Sequence, residues 1–147
     1  MKIKKNDKVL VIKGKYRGKT GVVLKVGPLP PCSADALALP QVFANLIANS
    51  LKYRDPGRKL QIAVSGEKKD ADTVIYTVSD NGRGIKAAEQ ERIWELYYSG
   101  SGGGGDGQKG EGIGLPIAKR IVILNGGRIW ALSKEGAGAD FFIELPA

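Results

Sequence analysis

Apolar and polar positions change their period several times along this chain, and each change marks an element. Lys8-Val-Leu-Val-Ile-Lys13 and Val22-Val-Leu-Lys-Val26 are short apolar runs, separated by the glycine-punctuated stretch Gly14–Gly21. They predict two strands in a hairpin-like pair. Leu37, Leu39, Val42, Phe43, Leu46, Ile47 and Leu51 then recur at helical spacing. This predicts a helix over about 36–52, with a short first turn around Pro40 and a cap from Ser33 or Asp35. Asp55-Pro56-Gly57 ends it. Strands are predicted over 60–64 and 73–79, around a polar turn at 68–72. A short helix is predicted over 87–97, and a further helix over 115–125, stopped by Gly126-Gly127. Two last strands, 128–132 and 140–145, flank a turn at Gly136-Ala-Gly138. Strand pairs with helices between them predict an α/β (α+β) two-layer sandwich. Its sheet is mixed and largely antiparallel, with about three helices on one face and an N-terminal β-hairpin extension.

Composition narrows this picture. The 147 residues, 42% hydrophobic and 26% charged, suit one ordinary globular domain with a small appendage. No apolar run approaches the roughly 18 residues of a membrane span, and no leader-type segment follows the lysine-rich start. A cytoplasmic protein is expected, with which the lone Cys32 agrees. The net charge of +8 sits in one place: residues 1–27 carry nine Lys or Arg against Asp7 alone, and the rest is balanced. So sharp a step predicts a boundary between 1–27 and 28–147.

Three clusters carry candidate chemistry. Asn45 and Asn49 are four residues apart and Lys52 is three further on, so all three share a helix face. Amide oxygens suit a hard cation and the ammonium suits phosphate, although a solvated face would look the same. Asp80 ends a strand and enters a turn with Gly82 and Gly84. Its carboxylate could accept the exocyclic amine of a purine while the glycines allow close backbone approach; a simple tight turn is the alternative. Gly110, Gly112 and Gly114 run into a helix start, where backbone N–H groups favour an anion, or they form a hinge. Around the first hairpin, Lys13, Lys15, Arg17 and Lys19 surround Tyr16, a pattern open to RNA contact or to a solvated basic loop.

Taken together, Asn45-Leu-Ile-Ala-Asn49-Ser-Leu-Lys52-Tyr53, Asp80-Asn-Gly82-Arg-Gly84-Ile85 and Gly110-Glu-Gly112-Ile113-Gly114-Leu115 resemble the ATP-binding catalytic domain of sensor histidine kinases. That domain belongs to the Bergerat (GHKL) family shared with gyrase, Hsp90 and MutL. The resemblance covers about 22–147 and implies the Bergerat-type sandwich. It assigns Asn49 to Mg²⁺ with Asn45 beside it, Lys52 and Tyr53 to the triphosphate, and Asp80, Gly82, Gly84 and Ile85 to adenine. Gly110, Gly112, Ile113, Gly114 and Leu115 fall to the phosphates. Arg92-Ile-Trp94-Glu-Leu-Tyr97 is similar to the family's phenylalanine box, and Gly100–Gly107 stands where the family keeps a lid over the nucleotide.

The ATP-hydrolysing relatives place a Glu where this chain has Asn45, so activation of water is not expected. The resemblance implies ATP (or ADP) with Mg as ligands and phosphoryl transfer to a histidine on a separate domain in trans, since the chain has no His. Asp7, Val9, Val11, Gly14, Lys15, Gly18, Lys19, Gly21 and Val23 resemble a ribosomal KOW motif. They imply a chimeric origin and, as the alternative function, an RNA-binding module. Val22–Val26 is then shared between the KOW-like segment and the kinase-like sheet, and open sheet edges leave room for a dimer.

Overall fold

The computed structural model describes residues 9–12 (backbone alone), 22–98 and 112–147. The basic loop with Lys13, Lys15, Tyr16, Arg17 and Lys19 lies outside the described residues, as do Gly100–Gly107 and Gly110. In chain order the elements are β1 (Val9–Ile12), β2 (Val22–Val26), α1 (Leu39–Lys52), β3 (Gln61–Lys68), β4 (Thr73–Asp80), α2 (Gly114–Leu124), β5 (Arg128–Lys134) and β6 (Gly138–Pro146).

The six strands form one sheet in the order β1-β2-β3-β4-β6-β5. β3–β4 and β5–β6 are antiparallel hairpins, and β4 joins them by pairing antiparallel with β6. The pair β2–β3 is parallel because the chain leaves β2, runs through α1 and returns beside it. β2 pairs on its other side with β1, so the N-terminal hairpin continues the same sheet.

Alternation along the strands sends one row inward: Ile62 and Val64 of β3, Val74, Tyr76 and Val78 of β4, and Phe141, Ile143 and Leu145 of β6. Val42, Phe43 and Leu46 of α1 and Ala118 and Val122 of α2 cover this row. The two helices also pack on each other. Phe43 meets Tyr76 edge-on with ring centroids 5.6 Å apart. Burial of each large apolar side chain contributes about 1.5–3 kcal/mol, so this one interface supplies most of the driving force. On the other face Trp130 stacks on its cross-strand partner Phe142.

The two-layer mixed sandwich is as expected, but the helix expected over 87–97 is absent. In its place are two 3₁₀ turns, Ala87–Glu89 and Arg92–Trp94. Only the adjacent Ile93 and Trp94 pack against the core, while Leu96 and Tyr97 are exposed. Two neighbouring inward residues suit a tight turn; a helix needs a stripe repeated at every third or fourth position. Trp94 still performs the packing role of the aromatic box, meeting Phe141 edge-on at 6.1 Å. α1 begins at Leu39, with Pro40 in its first turn. Asp35 holds the preceding turn through Leu37 N–H and Ala38 N–H. Ser33 instead ties the connector to the chain end, donating to the Ala147 carbonyl.

Phe141→Ala removes a fully buried ring from between Trp94 and the helices. The loss is expected to be about 3–5 kcal/mol of unfolding free energy, read from urea denaturation.

Candidate functional site

The C-terminal end of β4, the polar face of α1, the start of α2 and the β5–β6 turn enclose a cavity of about 520 Å³. This is the size of a cofactor or nucleotide site. α1 contributes Asn45, Ala48, Asn49 and Lys52, with Tyr53 just beyond it; the β4 turn contributes Asp80, Gly84 and Ile85; Gly112, Ile113, Gly114 and Leu115 complete the wall. Eleven of the thirteen sequence-derived candidates therefore meet in one hollow. Gly110 lies outside the described residues, and Gly82 is absent from the wall.

Asp80 is half-buried where β4 ends, facing Ile62 on one side and Ala139 on the other. Ser50 Oγ donates to its Oδ2 at 2.8 Å, and Gly82 N–H donates to its Oδ1 at 2.9 Å. Loss of water around the carboxylate raises its pKa above the usual value; these two hydrogen bonds and one from the Ala139 backbone only partly offset that, and the Asp140 charge adds to the rise. A carboxylate left short of solvation in a cavity wall is a strong acceptor for a donor-bearing ligand edge.

The glycines of the β4 turn serve the protein rather than an incoming ligand. A Cβ on Gly82 would stand 2.7 Å from the Tyr53 carbonyl oxygen. At Gly84, where φ is +73°, it would stand 2.2 Å from the Lys134 carbonyl oxygen. Close approach is required, but the approaching group is neighbouring backbone. Gly112 behaves likewise: φ is +68°, and its Cβ would lie 2.5 Å from the Tyr97 carbonyl carbon. Tyr97 N–H donates to the Gly112 carbonyl at 2.9 Å, so the chain closes on itself there. Only Gly114 opens toward the cavity side of α1, its nearest neighbour being Asn45 Cβ at 3.9 Å.

The two asparagines differ. Asn45 Nδ2 donates to the Gly114 carbonyl at 3.0 Å, and its Oδ1 accepts from Gln41 Nε2 at 2.6 Å. Asn45 thus clasps α1 to the start of α2. The Asn49 amide, one turn on, carries no hydrogen bond among the described residues and lines the cavity. Lys52 Nζ lies 4.7 Å from the Tyr53 ring centroid and Arg83 Cζ lies 5.6 Å from it, giving this end a cationic rim. α2 starts without a side-chain cap among the described residues, and N–H groups at such a start suit an anion.

Several lining residues were not singled out from sequence: Ala48, Arg83, Lys86, Glu89, Ile93, Tyr98, Pro116, Glu135 and Ala139. Arg83 sits inside the aspartate box and Ala48 between the two asparagines, so proximity to a motif could have flagged them. Glu135 and Ala139 reach the site through the pairing of β6 with β4, which puts Ala139 opposite Asp80. Nothing in the local sequence signals that.

Residues 34–147 match the family model of histidine kinase-, DNA gyrase B- and HSP90-like ATPases. The chain belongs to this family. It is 34% identical over 140 residues to the phytochrome-like protein Cph1 of Synechocystis sp., covering 95% of this chain and 18% of that protein. It is 40% identical over 119 residues to the adaptive-response sensory kinase SasA of Prochlorococcus marinus, covering 80% of this chain and 31% of that kinase. The chain therefore spans less than a third of either relative. Among solved structures, the mycobacterial sensor histidine kinase MprB superposes with a TM-score of 0.68 at 23% identity, over 84% of this chain and 80% of that one. Full-length ShkA in complex with AMPPNP gives 0.68 at 26% identity, over 84% of this chain and 25% of that one. The described fold is that of a histidine-kinase ATP-binding catalytic domain. The match to Cph1 reaches into the first 27 residues, so similarity to this relative is not confined to 28–147.

Asp80→Asn isolates the cost of the desolvated charge. Below the ordinary carboxyl pKa of 3.8, Asp80 is protonated in both the folded and the unfolded chain and carries no penalty. As pH rises through its raised folded pKa, the wild type loses stability relative to the variant, then the gap levels off. Asp80→Asn is thus expected to be at least as stable as wild type at neutral pH. Urea melts between pH 4 and 7 measure the gap.

Proposed function

We propose that this chain binds Mg²⁺-ATP in the cavity between α1, α2 and the β4 turn, and presents it for phosphoryl transfer to a histidine on another domain. The observation that carries the reading is the meeting of three unlike groups in one wall: the desolvated Asp80 carboxylate, the unengaged Asn49 amide and the uncapped start of α2. Each suits one part of the ligand. Asp80 accepts the exocyclic amine of adenine, beside the backbone of Gly84 and Ile85. Asn49 offers a hard oxygen donor to Mg²⁺, which keeps water in its other positions. The N–H groups around Gly114 and Leu115, with Lys52 and the Tyr53 edge, face the phosphates. Bound Mg²⁺ supplies charge neutralisation on the phosphate oxygens. ShkA, similar in fold, was solved with AMPPNP.

The chemistry left to the protein is positioning. Asn45, the residue that would stand nearest an attacking water, is an amide held at both ends by Gly114 and Gln41. It cannot take a proton at neutral pH, so hydrolysis has no general base there. Transfer to a stronger nucleophile then depends on alignment and charge neutralisation. The chain contains no histidine, so the acceptor lies on another chain or elsewhere in a longer protein. Its setting is the cytoplasm, where ATP is held. Among the described residues β1 and β5 are the edge strands, where a second copy would pair.

Mg²⁺-ATP at one hundred times its Kd is expected to stabilise the fold by about 2.7 kcal/mol, seen as a rise in Tm. Asp80→Asn should weaken ATP binding by at least about tenfold without loss of folding, as expected when a buried polar contact is deleted. Asn49→Ala should remove the dependence of ATP binding on Mg²⁺, measured by calorimetry with and without chelator. Phosphate release by the purified chain should stay near background; brisk hydrolysis would refute the role given to Asn45. Wild type that shows no thermal response to any adenine nucleotide would overturn the reading as a whole.

A further inference from the structure

The aspartate turn is gripped from outside the cavity by Arg58, which stands between α1 and β3. Its Nε donates to the Asn81 carbonyl at 2.7 Å. Its Nη2 donates to the carbonyls of Gly82 at 3.0 Å and Gly136 at 2.6 Å. The same nitrogen lies 3.1 Å from Asp55 Oδ2, which aims the guanidinium. Asp55 Oδ1 accepts from Gly57 N–H at 2.8 Å, so the aiming carboxylate is itself fixed by a tight turn. Arg58 is not in the cavity wall, yet it ties together two turns that are. One carries Asp80, Arg83 and Gly84; the other carries Glu135 and leads to Ala139.

The two turns also touch directly. Gly136 N–H donates to the Arg83 carbonyl at 2.6 Å. Asn81 adds a second latch from the segment beside Arg58: its Oδ1 accepts from Gln61 N–H, and its Nδ2 donates to the Lys59 carbonyl. The position of Gly82 N–H, which holds one oxygen of Asp80, is therefore set largely by this 58–61 segment. The Arg58 side chain is 39% exposed. Its carbonyl partners could turn to water if it were removed, so its deletion costs little folding energy. What deletion frees is the orientation of the turns. A planar, charged fork reaches three carbonyls from one place; a lysine ammonium is a single flexible point.

We propose that Arg58 is a positioning residue for base recognition: by holding the carbonyls of Asn81, Gly82 and Gly136, it sets the Asp80 carboxylate and the facing β5–β6 turn at the spacing that selects adenine. This rests on the reading of Asp80 as the adenine contact. The test is calorimetry on the full chain with Mg²⁺-ATP, Mg²⁺-GTP and Mg²⁺-tripolyphosphate, for wild type, Arg58→Ala and Arg58→Lys. Arg58→Ala is expected to lose about tenfold in ATP affinity and a similar factor in ATP-over-GTP preference, as misplacing one charged contact would cause. Tripolyphosphate binding should stay within about twofold, and Arg58→Lys should recover part of the preference. In an Asp80→Asn background, Arg58→Ala should have no further effect on ATP.

Unchanged ATP affinity and preference would overturn the proposal. So would an equal fall for ATP and tripolyphosphate, which would mean general damage to the site. Failure of both variants to fold would overturn it too, making Arg58 a scaffold residue. Wild type that binds tripolyphosphate but shows no preference for ATP would sink the Asp80 reading, a separate outcome.

Discussion

A carboxylate held half out of water at the end of a central strand is the constraint around which this domain is arranged. Ionised Asp80 is short of solvation, and Ser50 Oγ, Gly82 N–H and the Ala139 backbone return only part of what is lost. Its place is fixed by three registers at once: β4 against β3, β4 against β6, and α1 over the sheet, which brings Ser50 to it from above. Ser50 is itself buried and also donates to the Leu46 carbonyl one turn earlier. The charge costs the apo fold stability, and that cost is what leaves a strong acceptor in the cavity wall.

Glycine does different work at the two ends of the cavity. Gly82, Gly84 and Gly138 are where three stretches of backbone crowd together; a Cβ on Gly138 would stand 2.0 Å from the Asp80 carbonyl oxygen. These residues allow the turns to close; Gly84 lines the cavity, while Gly82 and Gly138 lie outside its wall. Gly114 alone leaves space on the cavity side, next to the asparagine clasp. The aspartate end is over-determined by turns, side-chain latches and sheet pairing. The opposite end depends on one helix start and on the α1–α2 contact.

The division between Asn45 and Asn49 separates structure from chemistry within four residues. Asn45 spends its amide on holding two helices in register, while the Asn49 amide lines the cavity and carries no hydrogen bond among the described residues. An amide at Asn45 cannot take a proton at neutral pH, whereas a carboxylate at that position could.

Much of this was legible in the sequence because it is local. The helical recurrence from Val42 to Leu51, the alternation in Thr73–Asp80 and the three polar boxes each depend on residues a few positions apart, where side-chain period and turn chemistry act. The composition of 87–97 permits a helix, yet within it only Ile93 and Trp94 find a surface to pack on. Arg58 and Glu135 carried no signal at all. Arg58 reaches Gly82 and Gly136 across 24 and 78 positions, and Glu135 enters the cavity wall only through the β5–β6 turn. The sequence by itself determined the family, the strand and helix faces and the types of group that could meet a nucleotide. Only the tertiary structure decided which glycines serve the backbone, which asparagine is left open and which arginine holds the turn, because hydrogen-bond partners are chosen by the pairing of distant strands and cannot be inferred from neighbours along the chain.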